Sequence, residues 1–379
     1  MKIHHIFLSG ILAASMLLAA CHEEKEETIV DKSLIEADII SSSSLIPTFD
    51  NGMAGFIDNH GAIPFNMQFD SVGPFYEDLA PVCIGGKWGY INLKGEYVVN
   101  PQYENAGYFR EGLARVKKDG RFGYIDKSGK MAITPQFEEY SADFYNGLAR
   151  VVLNGKSGFI DRTGKFVINP QFDDAYSFSE GLAAIKIGNK WGFIDKTGKI
   201  VINPQYDFCA EFSEGLAWVS KDWMYGCIDK EGNVVIDFMF DLAYAFHEGI
   251  AAVRMADDKF GCVDKKGKFV INPQYDMIGI FMDGIASVKV GSQWGYIDKK
   301  GNIVITPQFD MAYTFAFYNH QYAQVIQDGR MGYIDRSGRF IWRAQEASFL
   351  VPDPATEDFM STEAVEEENI TYTVSQEME

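Results

Sequence analysis

Two series of carboxylates recur along the chain at a spacing regular enough to suggest chemistry. Asp126, Asp161, Asp195, Asp229, Asp264, Asp298 and Asp335 each stand three residues before a glycine. Glu104, Glu138, Asp173, Asp207, Asp276 and Asp310 each close a Pro-Gln-aromatic-acid run. A stack of such groups could ligate calcium, or two of them could pair as general acid and base. Calcium takes about six to eight oxygens, and one carboxylate per loop supplies too few. A hydrolytic pair must be set apart from its neighbours, and the repetition singles out none. An Asx-type turn, in which the Asp oxygen accepts backbone N–H bonds and the following glycine takes positive φ, accounts for the first series without a metal.

The other reactive side chains are as unpromising. Beyond the apolar leader, the histidines are His22, His60, His247 and His320, with no HExxH or His-x-His spacing, so no metal site is assigned. There is no Gly-x-Ser-x-Gly elbow, phosphate loop or dinucleotide fingerprint, hence no catalytic or cofactor-binding residue and no cofactor. The expectation is a protein that is not an enzyme. Its alternative, an envelope hydrolase or processing enzyme with a site between repeats, would need one non-repeated acid or base cluster. Cys227 and Cys262 each follow a recurring glycine, in a slot that elsewhere holds Tyr90, Tyr124, Phe159, Phe193 or Tyr296. A bridge between them needs Cα atoms within about 7 Å. Packed sheets about 10 Å apart favour two buried free thiols instead.

The elements that carry these residues form one module. Gly55, Gly89, Gly123, Gly158, Gly192, Gly226, Gly261, Gly295 and Gly332 mark nine copies, 34 to 37 residues apart. In the copy around Gly192, Leu182 to Ile187 reads as a strand, Gly188-Asn189 as a hairpin turn, and Trp191 to Asp195 as the returning strand. The Asp195 to Gly198 turn leads to a third strand, Lys199 to Ile202, which Asn203-Pro204 stops. A crossover of about ten residues then ends in Phe-x-Glu-Gly-Leu-Ala, as at Phe212 to Ala217.

Trp/Phe/Tyr-Gly followed by an Ile-Asp turn and Gly-Lys-x-Val-Ile-x-Pro-Gln-[Tyr/Phe]-[Asp/Glu] resembles the WG-repeat family over residues 45–343. The resemblance implies a repeat scaffold found in bacterial envelope and secreted proteins, with no shared catalytic residues. The tryptophan is present only at Trp88, Trp191 and Trp294, which fits a packing position better than a ligand box. The expected fold is all-β: about nine three-stranded meanders of about 34 residues in an open, twisted, solenoid-like array. A closed β-propeller is the alternative. Leu45 to Phe49 opens a first meander and Tyr322 to Trp342 completes the ninth, so no strand is left over to close a ring.

The N-terminus points to the envelope. Ile6 to Ala20 is apolar but short for a membrane span, and Leu18-Ala19-Ala20-Cys21 resembles the lipobox of bacterial lipoproteins. That resemblance implies signal cleavage before Cys21 and its lipidation, giving a membrane anchor. The expected organisation is residues 1–20 as signal peptide, 21–44 as lipidated N-terminus and acidic, Ser-containing linker, 45–343 as nine repeats, and 344–379 as an acidic disordered tail. The acidic cluster after Cys21 and the absence of Asp at position 22 imply an outer-membrane lipoprotein, displayed at the surface or facing the periplasm. Of the formal charge of −19, most belongs to the two ends: the repeat body holds about 36 acidic and 31 basic side chains. No basic stripe is available to replace phosphate counterions, which argues against nucleic acid. The remaining expectation is a non-catalytic, lipid-anchored scaffold that binds protein or glycan. Tyr108, Tyr176, Tyr244 and Tyr313, in the crossovers, form the candidate binding surface.

Overall fold

The computed structural model describes residues 45–255, 258–317 and 320–345. The expected signal peptide, lipidation site, linker and most of the acidic tail lie outside the described residues. Thirty-three strands, β1 to β33 in chain order, and no helix make up the described chain.

The strands group into eight antiparallel sheets of three or four strands and one two-stranded hairpin. In the fourth sheet the order is β14 (Asp174–Ala175), β15 (Leu182–Ile187), β16 (Lys190–Asp195) and β17 (Ile200–Tyr206). The Gly188-Asn189 turn fixes the β15–β16 register, pairing Leu182 with Asp195 and Ile187 with Lys190. Between β16 and β17 the register shifts twice, as Trp191 faces Tyr206, Phe193 faces Ile202 and Ile194 faces Ile200. These bulges fold β17 over the recurring glycine: a Cβ on Gly192 would lie 2.4 Å from the Ile202 carbonyl oxygen and 2.6 Å from the Pro204 nitrogen. The glycine is therefore fixed by backbone approach, while its aromatic neighbour is free to vary.

Hydrophobic burial lies between sheets as well as within them. Phe159, Ile168 and Phe172 of one sheet pack with Phe178, Ala183, Ile185 and Ile194 of the next. Phe193, Ile202 and Tyr206 meet Phe212, Ala217, Val219 and Ile228 in the following layer. Because each middle strand is covered on both faces, runs such as Phe193-Ile194 are apolar on successive residues instead of alternating.

The open array is corrected: the chain is an eight-bladed β-propeller ring. The blades are β3–β6 (Ser71–Tyr103), β7–β10 (Asn105–Phe137), β11–β13 (Ala149–Phe172), β14–β17 (Asp174–Tyr206), β18–β21 (Phe208–Phe240), β22–β25 (Leu242–Tyr275), β26–β29 (Met277–Phe309) and β30–β33 (Met311–Arg343). The count of nine three-stranded modules is corrected with it, since the first copy has two strands, the hairpin β1 (Ile46–Asp50) and β2 (Met53–Ile57), and its third segment makes a single bridge, Phe69 to Ala54. That hairpin packs Phe56 on Phe75 of the first blade, and Ile46 and Ile57 on Tyr333 of the eighth. Tyr322 Oη donates to the Asn59 carbonyl at 3.0 Å, and the Gln345 N–H donates to Asp50 Oδ1 at 3.0 Å. Tyr333 Oη donates to the Pro47 carbonyl. Counting strands misjudged closure because the ring shuts by side-chain packing and hydrogen bonds around an incomplete module, with no borrowed strand.

Candidate functional site

The repeated carboxylates are engaged by the fold. Asp195 Oδ1 accepts the Thr197 hydroxyl at 2.6 Å and the N–H groups of Thr197 and Lys199 at 2.9 and 3.1 Å. The Thr197 hydroxyl is the main cause that holds this carboxyl below its ordinary range, against partial desolvation. Asp207 reaches the next hairpin, where its Oδ2 accepts the Asp222 N–H at 2.8 Å while Lys190 pairs with its other oxygen. Glu138 accepts the N–H groups of Asn154 and Gly155, both at 3.0 Å.

A third acidic series escaped the sequence reading. The Glu of Phe-x-Glu-Gly sits in left-handed backbone, at φ 50 for Glu180, 55 for Glu214 and 53 for Glu248. Each carboxylate crosses to the next repeat. Glu180, Glu214 and Glu248 accept the N–H of Gly215, Gly249 and Gly284, each at 2.9 Å. They also pair with Lys230, Lys265 and Lys299 at 2.9, 3.0 and 2.7 Å. Burial alone would raise these carboxyls, but the lysine and the backbone N–H groups together hold them below the usual range. The sequence signal was present as a Glu before Gly at a fixed place, but its partner lies about one repeat away and could not be paired by inspection.

The crossover entering the third blade departs from the pattern. Between Glu138 and Leu148 it carries one residue more than its counterpart from Asp173 to Leu182, and its blade, β11 (Ala149–Leu153) to β13 (Phe166–Phe172), lacks the short first strand of the others. Tyr140 stands at φ 63 and is 76% exposed, and Tyr145 is 49% exposed. Non-glycine left-handed residues are uncommon, and a bulky exposed one points to a role outside the fold's own packing. Beneath them, Arg115 and Arg150 donate to the Ser141 and Tyr140 carbonyls, fixing the loop from below. Arg150 Nη1 also lies 3.3 Å from Asp174 Oδ1, and Lys117 pairs with Glu139 at 2.7 Å. Asn146 stands here in place of the Phe-x-Glu-Gly glutamate; its amide donates to the Phe178 carbonyl at 3.1 Å. The surface thus offers two aromatic faces flanked by fixed charges of both signs, suited to stacking and hydrogen bonding.

The four tyrosines expected to form a binding row lie in four different blades. Tyr108 and Tyr244 are each 9% exposed, while Tyr176 and Tyr313 are half-buried. Tyr108 directly precedes Phe109 and is one register out of line with the other three. Tyr176 stacks on Trp191 with centroids 4.9 Å apart, and Tyr244 packs on Phe260 at 5.6 Å. Their positions trade volume with the residue they hydrogen-bond on the next strand. The backbone N–H groups of Tyr176 and Tyr244 donate to the carbonyls of Ala184 and Ala252, both at 2.9 Å, whereas those of Ala210 and Gly107 donate to the carbonyls of Trp218 and Arg115, both at 2.8 Å. In these four pairs a large side chain on one partner goes with a small one on the other, whereas at the equivalent Gly279 and Ser287 both are small.

Cys83, Cys209, Cys227 and Cys262 are buried and free. Cys227 and Cys262 lie in different core layers, and burial pushes both thiols up to about 12. Among the described residues no helix is long and apolar enough to cross a membrane.

The WG containing repeat family matches residues 55–88, 88–122, 122–156, 158–191, 191–222, 225–259, 260–294 and 294–330. Among solved structures, a eukaryotic initiation factor aligns at TM-score 0.60 and 9% identity, over 81% of this chain and 97% of that one. BamB from Moraxella catarrhalis aligns at TM-score 0.43 and 11% identity, over 78% of this chain and 98% of that one. At these identities the likeness concerns the fold alone. No curated relative matches the chain. With eight consecutive matches spanning most of the propeller, the chain belongs to the WG containing repeat family.

Proposed function

We propose that this protein is a non-catalytic scaffold of the cell envelope, anchored through lipidated Cys21, whose propeller binds a protein or glycan. The observation that carries the binding reading is the irregular crossover at residues 138–148. Its one-residue insertion leaves Tyr140 in left-handed backbone and exposed beside Tyr145. The repeated acids support the non-catalytic part, because their oxygens are engaged in turns and between repeats. Aromatic faces with flanking charge suit either a sugar ring or a peptide, and one scaffold gains its ligand at its variable connections. The outer membrane, at its surface or facing the periplasm, follows from the N-terminal sequence.

The soluble body, residues 41–343, immobilised and exposed to envelope fractions and to a glycan array, tests the reading. Retention of a defined envelope protein or glycan, reduced at least about tenfold in affinity by Tyr140→Ala or Tyr145→Ala, is the expected result. Retention unaffected by both variants would remove the crossover from the function. Hydrolysis of a retained substrate would overturn the non-catalytic reading. For the anchor, Cys21→Ser is expected to move the protein from the membrane to the soluble fraction.

A further inference from the structure

Edge strands expose backbone groups on which a further strand can add, and native sheets blunt them with proline. The last strand of each full blade is such an edge. Six of these strands carry proline at the same place: Pro101, Pro135, Pro170, Pro204, Pro273 and Pro307. In the fifth blade the equivalent strand, β21 (Val234–Phe240), has Phe238 there, whose backbone carries the N–H that proline lacks and whose ring packs over Gly226 and on Tyr206. Its flanking residues differ too, with Asp237 in place of Asn or Thr and Met239 in place of Gln. Val234, Val235 and Met239 are 49%, 40% and 45% exposed.

A second irregularity lies at the same corner. The hairpin preceding β21 turns through Asp222 and Trp223 at φ 53 and 65, where sister hairpins have Asp119-Gly120, Asn154-Gly155 or Asp328-Gly329. Trp223 is 86% exposed. Two residues on, Tyr225 faces Phe240 at the end of β21, so the tryptophan stands beside that end of the edge. A large aromatic is thus held in glycine's conformation without being buried by its own chain.

We propose that the edge of the fifth blade is a docking site for an extended segment of another protein, apolar with basic side chains, which adds alongside β21 and is gripped at its end by Trp223. Charge selects this occupant. Asp222, Asp237 and Asp241 flank the edge, and of the nearby cations Lys190, Lys230 and Arg254 are already paired with Asp207, Glu180 and Asp258, leaving Lys221. The segments of this chain beyond the propeller are themselves acidic, with ten acids and no base after Arg343, and a second copy would bring the same acidic edge. Both are disfavoured by like charge.

The test uses a fluorescein-labelled short peptide of alternating valine and lysine, titrated with the full chain and read by anisotropy. Phe238→Pro and Trp223→Gly restore what sister blades carry, so both are expected to fold; circular dichroism checks this, and Trp223→Gly carries the test if Phe238→Pro does not fold. Saturable binding, weakened at least about tenfold by each folded variant and in a valine–glutamate peptide, supports the proposal. No binding, unchanged affinity in the variants, or equal binding of the acidic peptide overturns it. So does a wild-type dimer that Phe238→Pro abolishes, which would make a second copy the occupant. Tyr140→Ala is expected to leave peptide binding unchanged, which separates this site from the third-blade surface.

Discussion

Glu214 shows how one residue links two repeats. Left-handed backbone costs a non-glycine residue about 1 kcal/mol, and the carboxylate offsets that by accepting the Gly249 N–H and pairing with Lys265 in the next blade. Its pKa is lowered on folding, so its contribution is complete above the unfolded value of 4.5 and fades as pH falls through the lower folded value. Glu214→Gln should therefore lower Tm at pH 7, and the difference from wild type should shrink as pH falls below 4.5 and vanish once it passes the lower folded value. Thermal melts across pH check this; a difference independent of pH would show that the charge is not what matters. Gly192 makes the opposite case. Gly192→Ala places a Cβ 2.4 Å from a backbone oxygen and should cost about 1–3 kcal/mol, read as a lower urea midpoint. Trp191→Phe, at the position that varies between repeats, should cost less. The turn role of Asp195 was legible because its partners, Thr197 and Lys199, are local.

At the scale of elements, the first two strands and the turns of a repeat were legible. The third strand runs from Ile200 through Pro204 to Tyr206 where Asn203-Pro204 was expected to stop it, and the facing of one strand onto the next blade was not legible. Leu182 to Ile187 and the Gly188-Asn189 turn form as the pattern predicts, since both depend on neighbours in sequence. The packing of Tyr176 depends on Ala184 across a short pairing that the sequence reading did not place, β14 with β15. This pairing predicts compensation. Tyr176→Ala alone should destabilise by roughly 2–4 kcal/mol, below the full-burial cost of an aromatic because the ring is half-buried. Adding Ala184→Trp, which recreates the Ala210–Trp218 arrangement, should recover part of that loss. A double-mutant cycle in urea measures the coupling, and additive costs would show that the two positions do not share one space.

The whole molecule is decided at the seam between the first and last modules. Local period establishes what repeats, but closure depends on curvature accumulated over all eight blades, and no residue encodes that alone. The seam has its own chemistry: Ile46 and Ile57 pack on Tyr333, Gly61 lies so close to the Ile341 carbonyl that a Cβ would come within 2.1 Å, and Tyr322 reaches Asn59. Ile46 and Ile57 are fully buried, so Ile46→Ala and Ile57→Ala together remove two core side chains, about 2–5 kcal/mol each. In a closed ring both ends of the chain should loosen, because each supplies one side of the same interface. Amide exchange should therefore quicken in β1 and β2 and also in β31 (Tyr322–Gln327) and β32 (Arg330–Asp335), while the fourth blade, on another part of the ring, keeps its protection. An open array would loosen only the N-terminal hairpin and its first-blade neighbour, so faster exchange in β31 and β32 is the outcome that distinguishes the two architectures in solution.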